Sequence, residues 1–315
     1  MQTTILGKFG KSLATGLLLA CAQSYAQTAL PSLDEYREVS AKGRSVWQLT
    51  IENDSLLFTG NDGFYTSGIQ LGQRSVLNTQ SGSTSYGWRI GQELYTASDT
   101  KLLPAQISPR DHPYAGWLFG GIYKESADLE GRSTQLGLDL GCMGPCAGGD
   151  WSQTHLHRLL QQPLPQGWST QLRDEWGVVL SGAWSPLRWT PAAYLDVTPR
   201  LSGRFGNIFT DASVGVTLRA GALNPLPEQA ANYAFVRAEA KAVAYNATIQ
   251  GGYFADQHTG VDPKRSVGEL EIGYVWRGER FGLHASVVRR SNEIRQLRSV
   301  EGAQNFAKIQ FSYAM

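Results

Sequence analysis

Long apolar runs are missing from this chain beyond its N-terminus. No later segment reaches the roughly 18 consecutive apolar residues that a membrane-spanning helix requires. Charge of one sign is also missing: 28 Lys and Arg stand against 27 Asp and Glu, so composition makes no case for nucleic acid. Cysteine is scarce, with three in 315 residues. Cys21 falls in the N-terminal leader, and Cys142 and Cys146 have none of the neighbouring ligands that a metal centre needs. In an exported protein that C-x3-C pair predicts a small local disulfide. No Gly-x-Ser-x-Gly elbow occurs, so a serine nucleophile lacks its usual signature. No EF-hand or other calcium-loop spacing occurs either. Neither an internal repeat, a low-complexity tract nor a linker divides the chain.

What is present begins with a leader. Lys8 and Lys11 precede an apolar run from Leu13 to Ala22, and Ser24-Tyr25-Ala26 closes it. That build predicts a secretory signal peptide over residues 1–26 and a single mature domain over 27–315. Leu18-Leu19-Ala20-Cys21 offers a competing lipoprotein cut. Glycine (35), tryptophan (9) and tyrosine (13) are plentiful. Abundant Trp and Tyr suit a membrane β-barrel, where they sit at both lipid interfaces.

Segments of period two recur from about residue 45 to the end. "VWQLTIEND" sets Trp47, Leu49 and Ile51 against Gln48, Thr50 and Glu52. "STQLGLDLG" sets Leu136, Leu138 and Leu140 against Gln135, Gly137 and Asp139, whereas "YAGWLFGGIY" alternates less cleanly. The last segment, "NFAKIQFSYAM", puts Ala307, Ile309, Phe311, Tyr313 and Met315 on one face and Lys308, Gln310 and Ser312 on the other. A wall between lipid and a polar interior has this pattern, and so has a soluble sandwich. The segments number about twelve, the even count of a closed antiparallel all-β barrel. They leave long loops, where activity is expected.

One stretch breaks the pattern. "DWSQTHLHRLLQQ", residues 150–162, reads as a helix and holds His155 and His157. At about 100° per residue, Leu156, Leu159 and Leu160 share an arc, with Gln153 and His157 together on its edge. His155 falls on the opposite side. If the leucines dock the helix on a wall, His157 faces the seam and His155 faces water. About 200° of rotation separates the two rings, so they cannot chelate one metal from a regular helix. Elsewhere, Glu52, Asn53, Asp54 and Asp62 cluster near Tyr65-Thr66-Ser67-Gly68 and offer hard oxygen donors of the kind calcium prefers. On spacing alone these are two polar turns. His112 precedes a proline and reads as structural at a strand entry.

The order "ENDS…DGFYTSGI", "HPYAGW", "GCMGPCAGGDWSQTHLHRLL" and "PQGWSTQLRDE" resembles the lipid A 3-O-deacylase family, from about Trp47 to the C-terminus. The resemblance implies a twelve-stranded barrel in the bacterial outer membrane; a closed barrel has no need of a partner, so a monomer is expected. It implies a calcium-dependent hydrolase that removes the ester-linked acyl chain at the 3′ position of lipid A, the lipid anchor of lipopolysaccharide. Carried over by position, the family's asparagine–aspartate pair is Asn53 and Asp54. Its threonine is Thr66, and its helix glutamine and histidine are Gln153 and His157. Its loop lysine, which contacts the headgroup, is Lys101. The implied roles are His157 as base toward a water, Asp54 as part of a Ca2+ site that stabilises the oxyanion, and Asn53, Thr66 and Gln153 as orienting groups. The rival readings are a non-catalytic porin-like barrel, an outer-membrane phospholipase or acyltransferase, and a soluble periplasmic sandwich.

Overall fold

A computed structural model describes residues 30–57, 63–255 and 257–315. The expected leader and Asp62 lie outside the described residues. The strands are β1 (Arg44–Asn53), β2 (Phe64–Asn78), β3 (Gly82–Thr96), β4 (Ala115–Asp128), β5 (Ser133–Met143), β6 (Glu175–Ser185), β7 (Trp189–Ala192), β8 (Leu195–Gly206), β9 (Phe209–Ala222), β10 (Ala231–Asn246), β11 (Ser266–Arg277), β12 (Phe281–Arg290) and β13 (Gln304–Ala314). Among the described residues three α-helices accompany them: α1 (Leu33–Lys42), α2 (Gly149–Leu159) and α3 (Ala247–Gln250).

Each strand pairs antiparallel with its neighbour, and β1 pairs with β13 from Val46↔Ala314 to Asn53↔Ala307. β6 pairs directly with β8, which closes a cylinder of twelve strands. The thirteenth, β7, is a short extension on β8 below that junction. Closure removes the sheet edges, whose unpaired N–H and C=O groups lipid cannot satisfy.

The period-two pattern sets which face meets lipid. Ile69, Leu71, Ile90, Ile122, Leu140, Val178, Leu180, Ile272 and Phe311 are all exposed on the outer face. Their alternates point inward, where Glu52 meets Lys308 at 2.7 Å and Arg89 grips Asp139 through two bonds of 2.9 and 2.7 Å. In water the outer band would be an aggregation surface; in a bilayer it is the matched solvent. The untidy "YAGWLFGGIY" is also explained. Trp117 and Phe119 turn inward and are buried, while Leu118 and Ile122 face out.

Those inward aromatics form a layer. Tyr65, Tyr95, Trp117, Phe119, Phe209 and Phe306 pack into one buried cluster at the end of the barrel that carries the long loops. Arg290 lies over the Tyr65 and Phe306 rings at 5.3 and 5.1 Å. At the opposite end several turns are short, such as those over 79–81 and 278–280, and both termini of the barrel wall lie there. By the usual asymmetry the long-loop end faces outward from the cell and the short-turn end faces the periplasm. α1 packs at the short-turn end, where Glu35 holds the buried Lys124 at 2.5 Å and Tyr86 donates to Glu35 at 2.6 Å.

Candidate active site

The loop between β5 and β6 builds the site. It leaves the wall through a turn that needs two glycines: Gly144 and Gly148 have φ of +97° and +67°, a region that strains any residue with a Cβ. Cys142 and Cys146 span the turn in a disulfide. The backbone N–H of Cys146 donates to Asp174 Oδ1 at 2.7 Å, tying the turn to the returning strand of the loop. Cys142, Cys146 and Asp174 are near enough for a metal, but both sulfurs are consumed by their bond.

α2 then lies on the outside of the wall. Gln92, from the outer face of β3, donates to Ala147 O at 2.6 Å. A Cβ on Gly149 would stand 2.5 Å from the Trp168 ring and 3.0 Å from Leu94, so the helix sits as close as glycine permits. Gly149, Gln153 and His157, spaced four apart, are its buried residues. Here the structure corrects one expectation. Leu156, Leu159 and Leu160 do not dock the helix; all three are exposed, and Leu159 is 79% so. The physical reason is the solvent. On the outside of a barrel the apolar arc of a helix is stabilised by lipid, which leaves the small and polar edge to meet the protein. The helix also ends at Leu159 rather than at Gln162.

The two histidines separate as their angles require. His155 is exposed, with Nδ1 on Trp151 O at 2.6 Å. His157 is buried, with Nδ1 2.6 Å from Pro163 O. A carbonyl only accepts, so Nδ1 carries a proton toward Pro163 O. Gln153, one turn earlier, accepts from Trp168 Nε1 at 2.7 Å. Its Nε2 is a buried donor with no protein acceptor among the described residues. Neither Trp168 nor Pro163 was assigned a role from the sequence. Trp168 stands in the quoted "PQGWSTQLRDE", yet nothing local marks it as the clamp on a helix fifteen residues away.

The strand residues lie at the same long-loop end of the barrel. β1 ends in a turn in which Asn53 Oδ1 accepts from the Ser55 N–H at 2.8 Å. Asp54 is buried, and its Oδ2 accepts from the Gly63 N–H at 3.0 Å. Thr66 sits at a bulge in β2 and shares a 2.6 Å hydroxyl contact with Thr96. Thr96 leads into Ala97, which packs in one cluster with Leu94, Tyr114 and Trp168. A Cβ on Gly63 would lie 2.7 Å from Ser98 O and 2.9 Å from Ala97 O. The end of β3 thus links the Asp54 turn and Thr66 on one side to Trp168 and Gln153 on the other. Lys101 is exposed in the adjoining loop, and Gln166, from the strap that follows α2, donates to Thr100 O at 2.9 Å. His112 is the structural residue its position indicated: its Nδ1 is 2.7 Å from Pro113 O, and its ring stacks on Tyr95 at 5.6 Å. Burial pushes its pKa down from the ordinary imidazole value.

A buried carboxylate and backbone carbonyls are oxygen donors of the kind a hard cation takes. Asp54, the carbonyls of Ala97 and Ser98, and the cradle that glycine leaves at position 63 fit calcium in chemistry.

The fold and rim geometry define a class: an outer-membrane β-barrel with a histidine-bearing helix packed on its outer wall at the long-loop end. The family model described as "Outer membrane protein LpxR" matches residues 13–315, and the chain belongs to that family. Its fold is that of LpxR from Salmonella typhimurium, with TM-score 0.72 and 20% identity over 85% of this chain and 99% of that one. It is less similar to the β domain of the Bordetella autotransporter BrkA, with TM-score 0.50 and 12% identity over 86% and 99% of the two chains. No curated protein matches the sequence.

Gly149→Ala tests whether close docking of α2 matters. The added methyl meets a ring rather than a flexible chain end, so the helix must move outward. The barrel should keep its heat-modifiable gel mobility while turnover falls by about tenfold or more, since misplacement of a reacting group by about 1 Å costs on that scale or beyond.

Proposed function

We propose that the protein is a calcium-dependent carboxylic ester hydrolase that removes the 3′-O-linked acyloxyacyl chain from lipid A in the outer leaflet. The observation that carries this reading is the state of His157: a buried imidazole, its Nδ1 proton committed to Pro163 O, on a helix whose apolar arc faces the leaflet. A base so placed receives an ester from the lipid side of the wall rather than from water.

The residues divide the work. His157 Nε2 takes the proton of a water as it attacks the ester carbonyl, then returns it to the departing 3′ oxygen. Gln153, its Oε1 fixed by Trp168, has Nε2 to offer the water or the ester oxygen. Thr66 and Asn53 border the carbonyl from the strand side. Asp54, with the carbonyls of Ala97 and Ser98, would hold calcium, which when bound supplies positive charge to the developing oxyanion. Lys101, exposed beside the strap after α2, is the contact for the polar headgroup and its phosphate.

The aromatic layer across the barrel opposes the porin-like reading, because its six rings occupy the lumen directly beneath the loops. The test is mass spectrometry of lipid A exposed to the purified protein in detergent, with calcium and with a chelator. Loss of the 3′ acyloxyacyl mass with calcium only is the expected result. Intact lipid A alongside loss of a glycerophospholipid chain would make the protein a phospholipase instead.

A further inference from the structure

The lumen holds a second feature that the rim chemistry does not use. In the periplasmic half of the barrel lies a cavity of about 250 Å3. Arg188, Arg200, Arg219 and Arg237 all line it, together with Thr217 and Tyr233. The alternation of β8, β9 and β10 explains the concentration: Arg200, Arg219 and Arg237 occupy inward positions, and Arg188 reaches in from the turn after β6.

Their counter-charges are already engaged. Asp196 takes Arg219 through bonds of 2.9 and 2.5 Å, and Arg188 Nε lies 3.7 Å from the same carboxylate. Glu271 is shared by Arg237 at 3.0 Å, Ser286 at 2.7 Å and His284 at 3.2 Å. Glu125, further up the wall, is held by Arg74 at 2.7 Å. Arg200 is steadied by the neutral Gln135 Oε1 at 2.7 Å. The inward carboxylate of Glu239, across Gly215 from Arg200 in the strand register, makes no ion pair with it among the described residues. Arg188 Nε is buried and has no hydrogen-bond acceptor among the described residues. Burial and the nearby Arg219 also push the Arg188 pKa below its ordinary value. Four guanidinium groups thus share two paired carboxylates, Asp196 and Glu271, while Glu125 and Glu239 act on Arg200 without an ion pair to it among the described residues, which leaves room for a further anion beside Arg200.

We infer that this lumenal cavity is a binding site for a phosphate-bearing anion drawn from the periplasmic side. Guanidinium forks engage phosphate through paired N–H···O bonds, which a monatomic ion cannot use. Arg200, held only by a neutral amide among the described residues, supplies the charge not already ion-paired. Arg188, paired with Asp196 and donating to the carbonyls of Asn224 and Pro225, keeps one Nε–H without an acceptor among those residues, and Thr217 and Tyr233 are further polar groups. The ligand chemistry is a phosphate group; a free phosphate and a phospholipid headgroup at the barrel mouth both present it.

The experiment uses the full mature barrel in detergent. Inorganic phosphate, glycerol 3-phosphate and chloride are titrated at constant ionic strength and followed by calorimetry. A parallel arm places the barrel in nanodiscs with and without phosphatidic acid. Saturable phosphate binding, at least tenfold weaker in Arg200→Gln and unaltered in the exposed Arg37→Gln, is the expected result. Weakened phosphate binding in nanodiscs only when phosphatidic acid is present assigns the site to headgroups; equal binding assigns it to the free anion. Phenylglyoxal labelling of the unmutated protein, read by peptide mass, gives a measure independent of variant folding: phosphate should protect Arg200 and Arg188 at least fivefold. Chloride competing equally with phosphate, binding that survives Arg200→Gln, or labelling indifferent to phosphate would overturn the assignment.

Discussion

Replacing His157 by alanine should lower the rate of lipid A deacylation by about 10²–10⁴-fold, the range for loss of a positioned general base. Replacing His155 by alanine should leave most of the rate. The contrast rests on geometry: the rings lie two residues apart, yet one is buried against the wall and the other exposed beside Trp151. His157→Gln sharpens the result, because glutamine can donate to Pro163 O but cannot carry the proton through the reaction. If His157→Gln were as slow as His157→Ala while α2 stayed docked, proton transfer rather than packing would be the lost function. Docking can be read from protection of Trp168 against a lipid-side quencher. Equal loss in the two single histidine variants would mean that helix integrity, not the imidazole, limits turnover.

The barrel was legible because a lipid-facing wall obeys one rule along its whole length. Trp47, Leu49 and Ile51 lie on the outer face opposite Tyr313, Phe311 and Ile309, as the alternation in the first and last strands requires. The rule weakens at the aromatic layer. Trp117 and Phe119 are large and apolar yet face inward, and only their partners Tyr65, Tyr95 and Phe306, contributed by three other strands, explain why. Helix α2 shows the complementary failure. Its angles place Gln153 and His157 together, but the leucine arc reads as a face docked on protein when its neighbour is lipid. A hydrophobic arc identifies an apolar surrounding without saying whether protein or bilayer supplies it. Trp168 and Pro163 were beyond reach because their roles are long-range bonds, and a single sequence carries no pairing for them.

Asp54→Asn addresses the other half of the rim and should rival the histidine in effect. The substitution keeps shape and an oxygen able to accept from the Gly63 N–H at 3.0 Å, so the turn between β1 and β2 can persist. What it removes is the negative charge that a divalent cation needs beside neutral carbonyl donors. Activity at a fixed low calcium concentration should fall by about 10²–10³-fold, the order seen when electrostatic support for an oxyanion is withdrawn. Raising calcium should recover part of that loss in Asp54→Asn. It should recover none in His157→Ala, since the cation cannot replace a base. Calcium should also raise the unfolding temperature of the unmutated barrel more than that of Asp54→Asn, a readout independent of turnover. An Asp54→Asn protein with full activity that ignores chelators would remove calcium from the rim, leaving Asp54 only as the brace of its turn through Gly63.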